Sequence, residues 1–259
     1  MSQGRPGIRR TNVLGVGVSA VNIPMTIAEI DRLIRAGERS YVCVSGAHGI
    51  MECQRDEGLR EIHNRAGLVT PDGMPLVWIS RWRGAKHVSR VYGPDLMLAL
   101  CEHTAATGHR HYFYGGNDGV PEQLSQRLTA RFPDLAVAGT HSPPFRQLTE
   151  EEDRAVIRRI NATQPDIVWV GLSTPKQERW MDAHREALDA AVLIGVGAAF
   201  DFHAGIKHQA PRWIQRSGLE WLYRLLSEPR RLWRRYAYIV PMFSVLVMLE
   251  TIGVRRRPL

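Results

Sequence analysis

The sequence predicts an α/β fold: a mostly parallel sheet flanked by helices, followed by a basic helical C-terminal appendage. Three observations predict it. Short apolar, β-branched runs alternate with amphipathic stretches, the pattern of βα units. The segments after the apolar runs are small, Gly-rich or polar, as the loops at the carboxyl ends of a Rossmann-like sheet are. The charge is segregated as well. Of the 34 Lys/Arg in 259 residues, 11 fall in 205–259 beside only 3 acids, so that stretch carries the whole net charge of +8. Two regions follow: a neutral α/β domain over 1–204, and an appendage over 205–259 whose charge suits a polyanion or an anionic membrane surface.

The elements are predicted in order. Residues 12–18 read as a strand and 26–36 as a helix. The run Tyr41-Val42-Cys43-Val44-Ser45 is a strand, with a helix following through the fifties. A short strand at 68–70 ends at Pro71-Asp72-Gly73. Gly93-Pro94-Asp95 opens a helix to 107, and His111-Tyr112-Phe113-Tyr114 is a strand running into a Gly-rich loop at 115–119. A helix covers 120–132 and a strand 135–140. Thr149 and Glu152 have the spacing of a capping box, which opens a helix to about residue 162. A strand at 167–170, a helix at 175–190 and a strand at 191–195 complete the α/β pattern.

Composition excludes several classes. With 44% hydrophobic and 23% charged residues the chain is an ordinary folded protein, not collagen, a disordered tail or a polytopic membrane protein. Three cysteines without CxxC spacing make no disulfide framework and no structural zinc site, and fit a reducing compartment. The N-terminal residues carry positive charge without an adequate apolar run, so no signal peptide is expected. The only membrane-like segment, 236–249, lacks charge but is short for a span and contains Pro241. It suits an interfacial helix or a core helix.

The chemistry is sought in the strand-end loops. Asp72 follows a strand and could act as a general base, although Asp-Gly is also an ordinary turn pair. The loop with Gly115 and Gly116 precedes a helix, where backbone N–H groups can hold phosphate. It lacks the GK[ST] ending of a Walker loop, and Gly15-Val16-Gly17 and Gly195-Val196-Gly197 do not complete a dinucleotide fingerprint. No Asp-x-Asp pair occurs and the histidines show no trusted ligand spacing, so no metal and no cofactor is expected. A diphosphate leaving group would then be stabilised by arginine. On one continuous helix, at about 100° per residue, Arg224 and Arg231 superpose and Arg234 lies roughly 80° aside. Pro229 between them kinks or divides that helix. Leucines and tryptophans beside these arginines suit a lipid diphosphate at a membrane surface. A solvated basic helix packed on the core is the alternative.

Taken together, several short motifs resemble the WecG/TagA/CpsF family of bacterial glycosyltransferases over about residues 13–236. They are Pro71-Asp72-Gly73, Arg90-Val91-Tyr92-Gly93-Pro94-Asp95-Leu96, Pro165-Asp166-Ile167-Val168-Trp169-Val170-Gly171-Leu172, Pro175-Lys176-Gln177-Glu178, Gly195-Val196-Gly197-Ala198-Ala199-Phe200-Asp201-Phe202, Ala210-Pro211-Arg212-Trp213, and the run from Leu219 to Tyr236. The resemblance implies an inverting, β-linkage-forming hexosyltransferase without a metal. Its donor is a UDP-sugar and its acceptor a polyprenyl-diphosphate-linked sugar. It implies a general base at Asp72, nucleotide contacts near Gln177 and Asp201, and acceptor or diphosphate contacts at Arg224, Arg231 and Arg234. By their places in the loops and motifs, Gly115 and Gly116 are added to the nucleotide-sugar contacts, and Ser45, His48 and Arg90 to the acceptor or diphosphate contacts.

Many members carry Thr-x-Asn after the second strand, whereas this chain reads Val44-Ser45-Gly46-Ala47-His48-Gly49, with glycine in place of the asparagine. That variant resembles the GumM-type branch, so UDP-glucose in exopolysaccharide biosynthesis is the expected donor and setting, with UDP-N-acetylmannosamine the alternative. The enzyme is expected in the cytoplasm, peripheral on the inner face of the cytoplasmic membrane. No nucleic-acid partner is expected, and a homo-oligomer is left open. Two rivals of other classes remain: a Rossmann-type oxidoreductase, and a non-catalytic membrane- or RNA-binding protein that uses the basic tail.

Overall fold

The structure is a computed structural model that describes residues 7–254 and 257–259; Arg255 and Arg256 of the basic count, and the first six residues of the N-terminal reading, lie outside them. Along the chain run β1 (Arg10–Val13), β2 (Val16–Ser19), α1 (Ile23–Ala36), β3 (Ser40–Ser45), α2 (Ala47–Arg55), α3 (Glu57–Arg65), β4 (Leu68–Pro71) and α4 (Met74–Trp82). Then come α5 (Gly93–Thr107), β5 (His111–Gly115), α6 (Val120–Arg131), β6 (Val137–His141), α7 (Glu150–Ala162), β7 (Ile167–Gly171), α8 (Lys176–His184) and β8 (Val192–Gly195). Four helices close the chain: α9 (Ala199–His203), α10 (Arg212–Ser217), α11 (Glu220–Ser227) and α12 (Pro229–Thr251). The main sheet has six strands in the order β4-β3-β8-β7-β5-β6. The pairings β3 with β8, β8 with β7, β7 with β5 and β5 with β6 are parallel, which gives the predicted α/β class.

The chain divides into two compact units. One comprises Ile23–Val44 and Tyr92–His208. Its strands β5, β7 and β8 are nearly continuous apolar runs, buried as parallel strands with covered faces are. The capping box forms as predicted: Thr149 Oγ1 accepts from the Glu152 N–H at 3.2 Å, and Glu152 Oε2 accepts from the Thr149 N–H at 2.9 Å. Where β5 leaves the sheet, Gly115 has φ +121°, and a Cβ there would lie 2.7 Å from the Gly171 backbone. Only glycine permits that approach.

The other unit comprises residues up to Asn22, Ser45–Val91 and Gln209–Leu259. Here the structure corrects the sequence reading in two places and extends it in two more. The strand expected at 12–18 is two strands, an antiparallel hairpin with Val13 opposite Val16. Leu14 (φ 54°) and Gly15 (φ 84°) form its two-residue turn, a geometry usually signalled by Asn-Gly. Side chains hold the turn instead: Asn12 Oδ1 accepts from the Gly15 N–H, and Glu250 Oε1 from the Leu14 N–H. The helix through the fifties is two helices, because Asp56 adopts extended backbone and caps α3 through the Leu59 N–H. Helix α4 follows Pro71-Asp72-Gly73, with Gly73 at its N-cap and Pro75 in its first turn. Finally, the appendage is three helices, divided by Gly218 in the left-handed region and, as expected of Pro229, at Glu228, whose backbone is non-helical (φ −134°, ψ 60°).

Helix α12 runs 23 residues with Pro241 inside it. It is the one helix among the described residues long and apolar enough to cross a membrane, by length and composition. Leu232, Ile239, Phe243 and Leu246 form its buried stripe. Tyr238, Met242, Val245 and Met248 form a second, exposed apolar face. Its C-terminal turn is pinned: Glu250 pairs with Arg83 at 2.6 Å, with only 8% of the Glu250 side chain exposed.

Gly115→Ala tests the strand exit. It should destabilise the protein by more than about 1 kcal/mol, read as a lower urea midpoint at unchanged slope, because both the positive φ and the Gly171 backbone oppose a Cβ. A midpoint equal to wild type would show that the loop relaxes freely.

Candidate active site

Strand β4 delivers Asp72 to the sheet's carboxyl end, and the backbone fixes it there. The Asp72 N–H donates to the Ser45 carbonyl at 3.0 Å, and the Val91 N–H donates to the Pro71 carbonyl at 2.9 Å. Arg90 donates from Nε to the Asp72 carbonyl and from Nη2 to Glu220 Oε2, the latter at 2.5 Å. The carboxylate lies over Gly46, where a Cβ would come 3.7 Å from Asp72 Oδ2. Gly46 is the N-cap of α2, so the side chain sits by the positive end of a helix, which favours a carboxylate.

Ser45 is buried beside this corner, and its hydroxyl has a defined direction. His63 Nδ1 lies 2.9 Å from the Leu59 carbonyl, which can only accept. Nδ1 therefore donates to that carbonyl, and in the neutral ring Nε2 accepts from Ser45 Oγ at 2.9 Å. Ser45 thus keeps its Oγ lone pairs for other donors.

His48 stands in the first turn of α2. Burial and the nearby guanidinium groups of Arg235, Arg224 and Arg55 push its pKa down to about 4. Arg55 also lies over the Tyr238 ring, 4.1 Å from its centroid. Arg224, Arg235 and Arg231 also lower the Tyr236 phenol, against the larger raising effect of burial. The expected trio is therefore split differently. The division at Glu228 puts Arg224 on α11 and the other two on α12, so the single-helix superposition of Arg224 with Arg231 does not apply. Arg224 faces the His48 cluster in the company of Arg235 and Arg55. Arg231 pairs with Glu228 at 2.5 Å, and Arg234 stacks toward Trp233 at 5.4 Å. Arg55, Arg235, Glu220 and His63 were not singled out from sequence. Each lies on a helix face whose partner is remote in the chain, and no local motif announces it.

The other unit carries the remaining predicted residues. The Gly116 N–H donates to the Gly171 carbonyl at 3.0 Å, and Gly116 (φ +77°) turns the loop toward α6. Gln177 is 2% exposed. Its Nε2 donates to Glu178 Oε1 at 3.0 Å, which also accepts from Thr174 Oγ1 at 2.8 Å. A carboxylate cannot donate, so the amide orientation is fixed with Oε1 toward Gly197, where a Cβ would lie 3.5 Å away. Gln177 Oε1 and Glu178 Oε2 are buried without a hydrogen-bond partner among the described residues. Such acceptors match ligand hydroxyl or N–H groups. Asp201 pairs with Lys207 at 3.0 Å, a lysine that had no role in the sequence reading.

The His48 ring gives a pH signature. In an unfolded chain it titrates near 6.5, and in the fold near 4. The unfolded chain therefore binds the extra proton between those values, and His48 makes stability fall as pH drops through that window. An NMR titration should place the His48 midpoint near 4, and Arg224→Ala or Arg235→Ala should raise it. A midpoint near 6.5 in the wild type would remove the cationic cluster from the site.

The chain is similar to several named transferases. N-acetylglucosaminyldiphosphoundecaprenol N-acetyl-beta-D-mannosaminyltransferase of Bacillus spizizenii is 33% identical over 184 residues, 71% of this chain and 69% of that protein. The protein of that name from Bacillus subtilis is 30% identical over 76% of this chain and 74% of its own length. One from Staphylococcus aureus is 30% identical over 93% of this chain and 94% of its own. With the family model matching residues 11–257, the chain belongs to the glycosyl transferase WecG/TagA/CpsF family.

Proposed function

We propose that the chain transfers N-acetylmannosamine from its UDP conjugate to a polyprenyl-diphosphate-linked acceptor sugar, with inversion to a β-linkage. The observation that carries this is the seat of Asp72, held by the Ser45 carbonyl and by Arg90 in the unit that also bears the arginine-rich appendage. The relatives' names weigh toward N-acetylmannosamine rather than the UDP-glucose expected from the loop at 45–48.

In this mechanism Asp72 takes the proton from an acceptor hydroxyl as the oxygen attacks the anomeric carbon. The bond from that carbon to the UDP oxygen breaks, and its electron pair leaves with UDP. General base action contributes about 10²–10⁴-fold. Gln177 and the loop with Gly115 and Gly116 are assigned to the nucleotide sugar. Asp201 joins them through the family resemblance, its carboxylate held by Lys207. Ser45 Oγ can accept a hydrogen bond from a sugar hydroxyl. Arg224, aided by Arg235 and Arg55, is assigned to diphosphate, with Arg231 and Arg234 flanking.

The duties divide near residue 205, with the appendage also attaching the protein to the cytoplasmic membrane surface. The exposed face of α12 supports this: apolar residues lie beside arginines, a composition suited to the interface of an anionic bilayer. The Arg83–Glu250 pair and the buried stripe of α12 support a helix lying on its unit rather than crossing a bilayer.

Two measurements test these readings. Asp72→Asn should lower kcat by at least about a hundredfold with UDP affinity nearly unchanged, in an assay offering UDP-N-acetylmannosamine and UDP-glucose with a lipid-diphosphate-sugar acceptor. Near-normal turnover would sink the base assignment, and a clear kcat/KM preference for UDP-glucose would overturn the donor. For the membrane, Met242→Glu with Val245→Glu should weaken sedimentation with anionic vesicles, and an alkaline carbonate wash should release the wild type. Retention through that wash would mean a spanning helix.

A further inference from the structure

Helix α11 has no buried residue, yet it carries Arg224. Half-buried Leu225 and Trp221, the latter 5.9 Å from the Tyr236 ring, give it an apolar side, and a shielded ion pair adds a polar anchor. Glu220, in its first turn, reaches Arg90 at 2.5 Å, and the two side chains are only 13% and 15% exposed. A charge-assisted bond shielded in this way is stronger, and less screened by salt, than a surface pair. The same guanidinium donates from Nε to the carbonyl of Asp72. One planar group therefore joins the backbone of Asp72 to the start of α11, and Arg224 follows Glu220 by one helical turn on the same face.

We propose that Glu220 and Arg90 form a clasp that couples the seating of α11 to the position of Asp72, so that Arg224 reaches the site only with the clasp closed. This rests on the reading of Asp72 as the base. Arg90 then acts as a positioning residue rather than through the acceptor contact expected from its place in a motif. Its planar fork is what the geometry uses, since Nε and Nη2 serve two acceptors at once. A lysine ammonium cannot span both in that arrangement.

Full-length Glu220→Gln and Arg90→Lys are the variants, each checked for wild-type circular dichroism. Hydrogen exchange of the amides in 220–227 should accelerate by about tenfold in both, with β5 amides unchanged. Turnover of Glu220→Gln should fall by about tenfold, the scale of one charge-assisted hydrogen bond, at unchanged KM for the UDP-sugar. In an Arg224→Ala background the same change should have little further effect, because the group that the clasp delivers is already gone. Full, additive loss in that background would overturn the coupling, as would exchange at the wild-type rate in both clasp variants. The exchange arm needs no turnover. If the wild type transfers none of the sugars offered, the function proposed above fails, while accelerated exchange still establishes the clasp.

Discussion

One guanidinium organises the unit that holds Asp72. Arg90 is drawn from the chain just past α4, yet it serves the carbonyl at the end of β4 and the carboxylate at the start of α11. Much else there follows from this bridge. The Pro71-Asp72 backbone is strapped on one side by Ser45 and on the other by the segment Arg90-Val91. Helix α11, without a buried side chain of its own, gains an anchor. The appendage is held at its far end by a second ion pair, Arg83 with Glu250, and along α12 by an apolar stripe. Hydrophobic burial thus does most to fix the long helix, while in the short one that carries Arg224 an ion pair supplements half-buried Trp221 and Leu225.

The fold was legible wherever a single period or cap governed a segment. The continuous apolar runs of β5, β7 and β8, the Gly-Pro-Asp opening of α5 and the Thr149–Glu152 box all reappear as read. The failures share a cause: tertiary partners replaced local signals. Leu14 enters the left-handed region because Asn12 and Glu250, the latter 236 positions away, hold its turn. Asp56 interrupts a helical pattern because its side chain serves better as a cap for the next helix. The helix at 74–82 has apolar residues without a clean stripe, and its start at Gly73 was absorbed into the turn reading of Asp72.

The site was legible in its chemical types more than in its geometry. Asp72, Ser45 and the glycines of 115–116 stand at strand ends, as the loop pattern required, and His48 and Gln177 stand in the first turns of α2 and α8. The arginines were harder. Their angular spacing held only for one continuous helix, and the division expected at Pro229 makes two. The consequence is physical: Arg231 is occupied by Glu228, while Arg235 and Arg55 take positions about His48 that no helical wheel drawn through Arg224 would assign. Supporting groups such as His63, Glu178 and Glu220 were invisible because each acts through a partner rather than through a motif.

The electrostatics of the His48 cluster bear on function in a way that the net charge alone does not. Burial of His48 already disfavours its charged form, the charges of Arg235, Arg224 and Arg55 add to that, and the imidazole stays neutral down to about pH 4. A histidine that does not charge adds no repulsion to the three guanidinium groups. Burial is the larger cause of that neutrality, but the share that comes from the arginines reports a positive potential, and the same potential attracts an anion. A diphosphate seated there would offset that field, and by linkage it would raise the proton affinity of His48 as it binds. The charge of the appendage therefore acts locally as well as in sum: Arg224 and Arg235 raise the potential at a neutral ring on α2, where a bound anion would balance it.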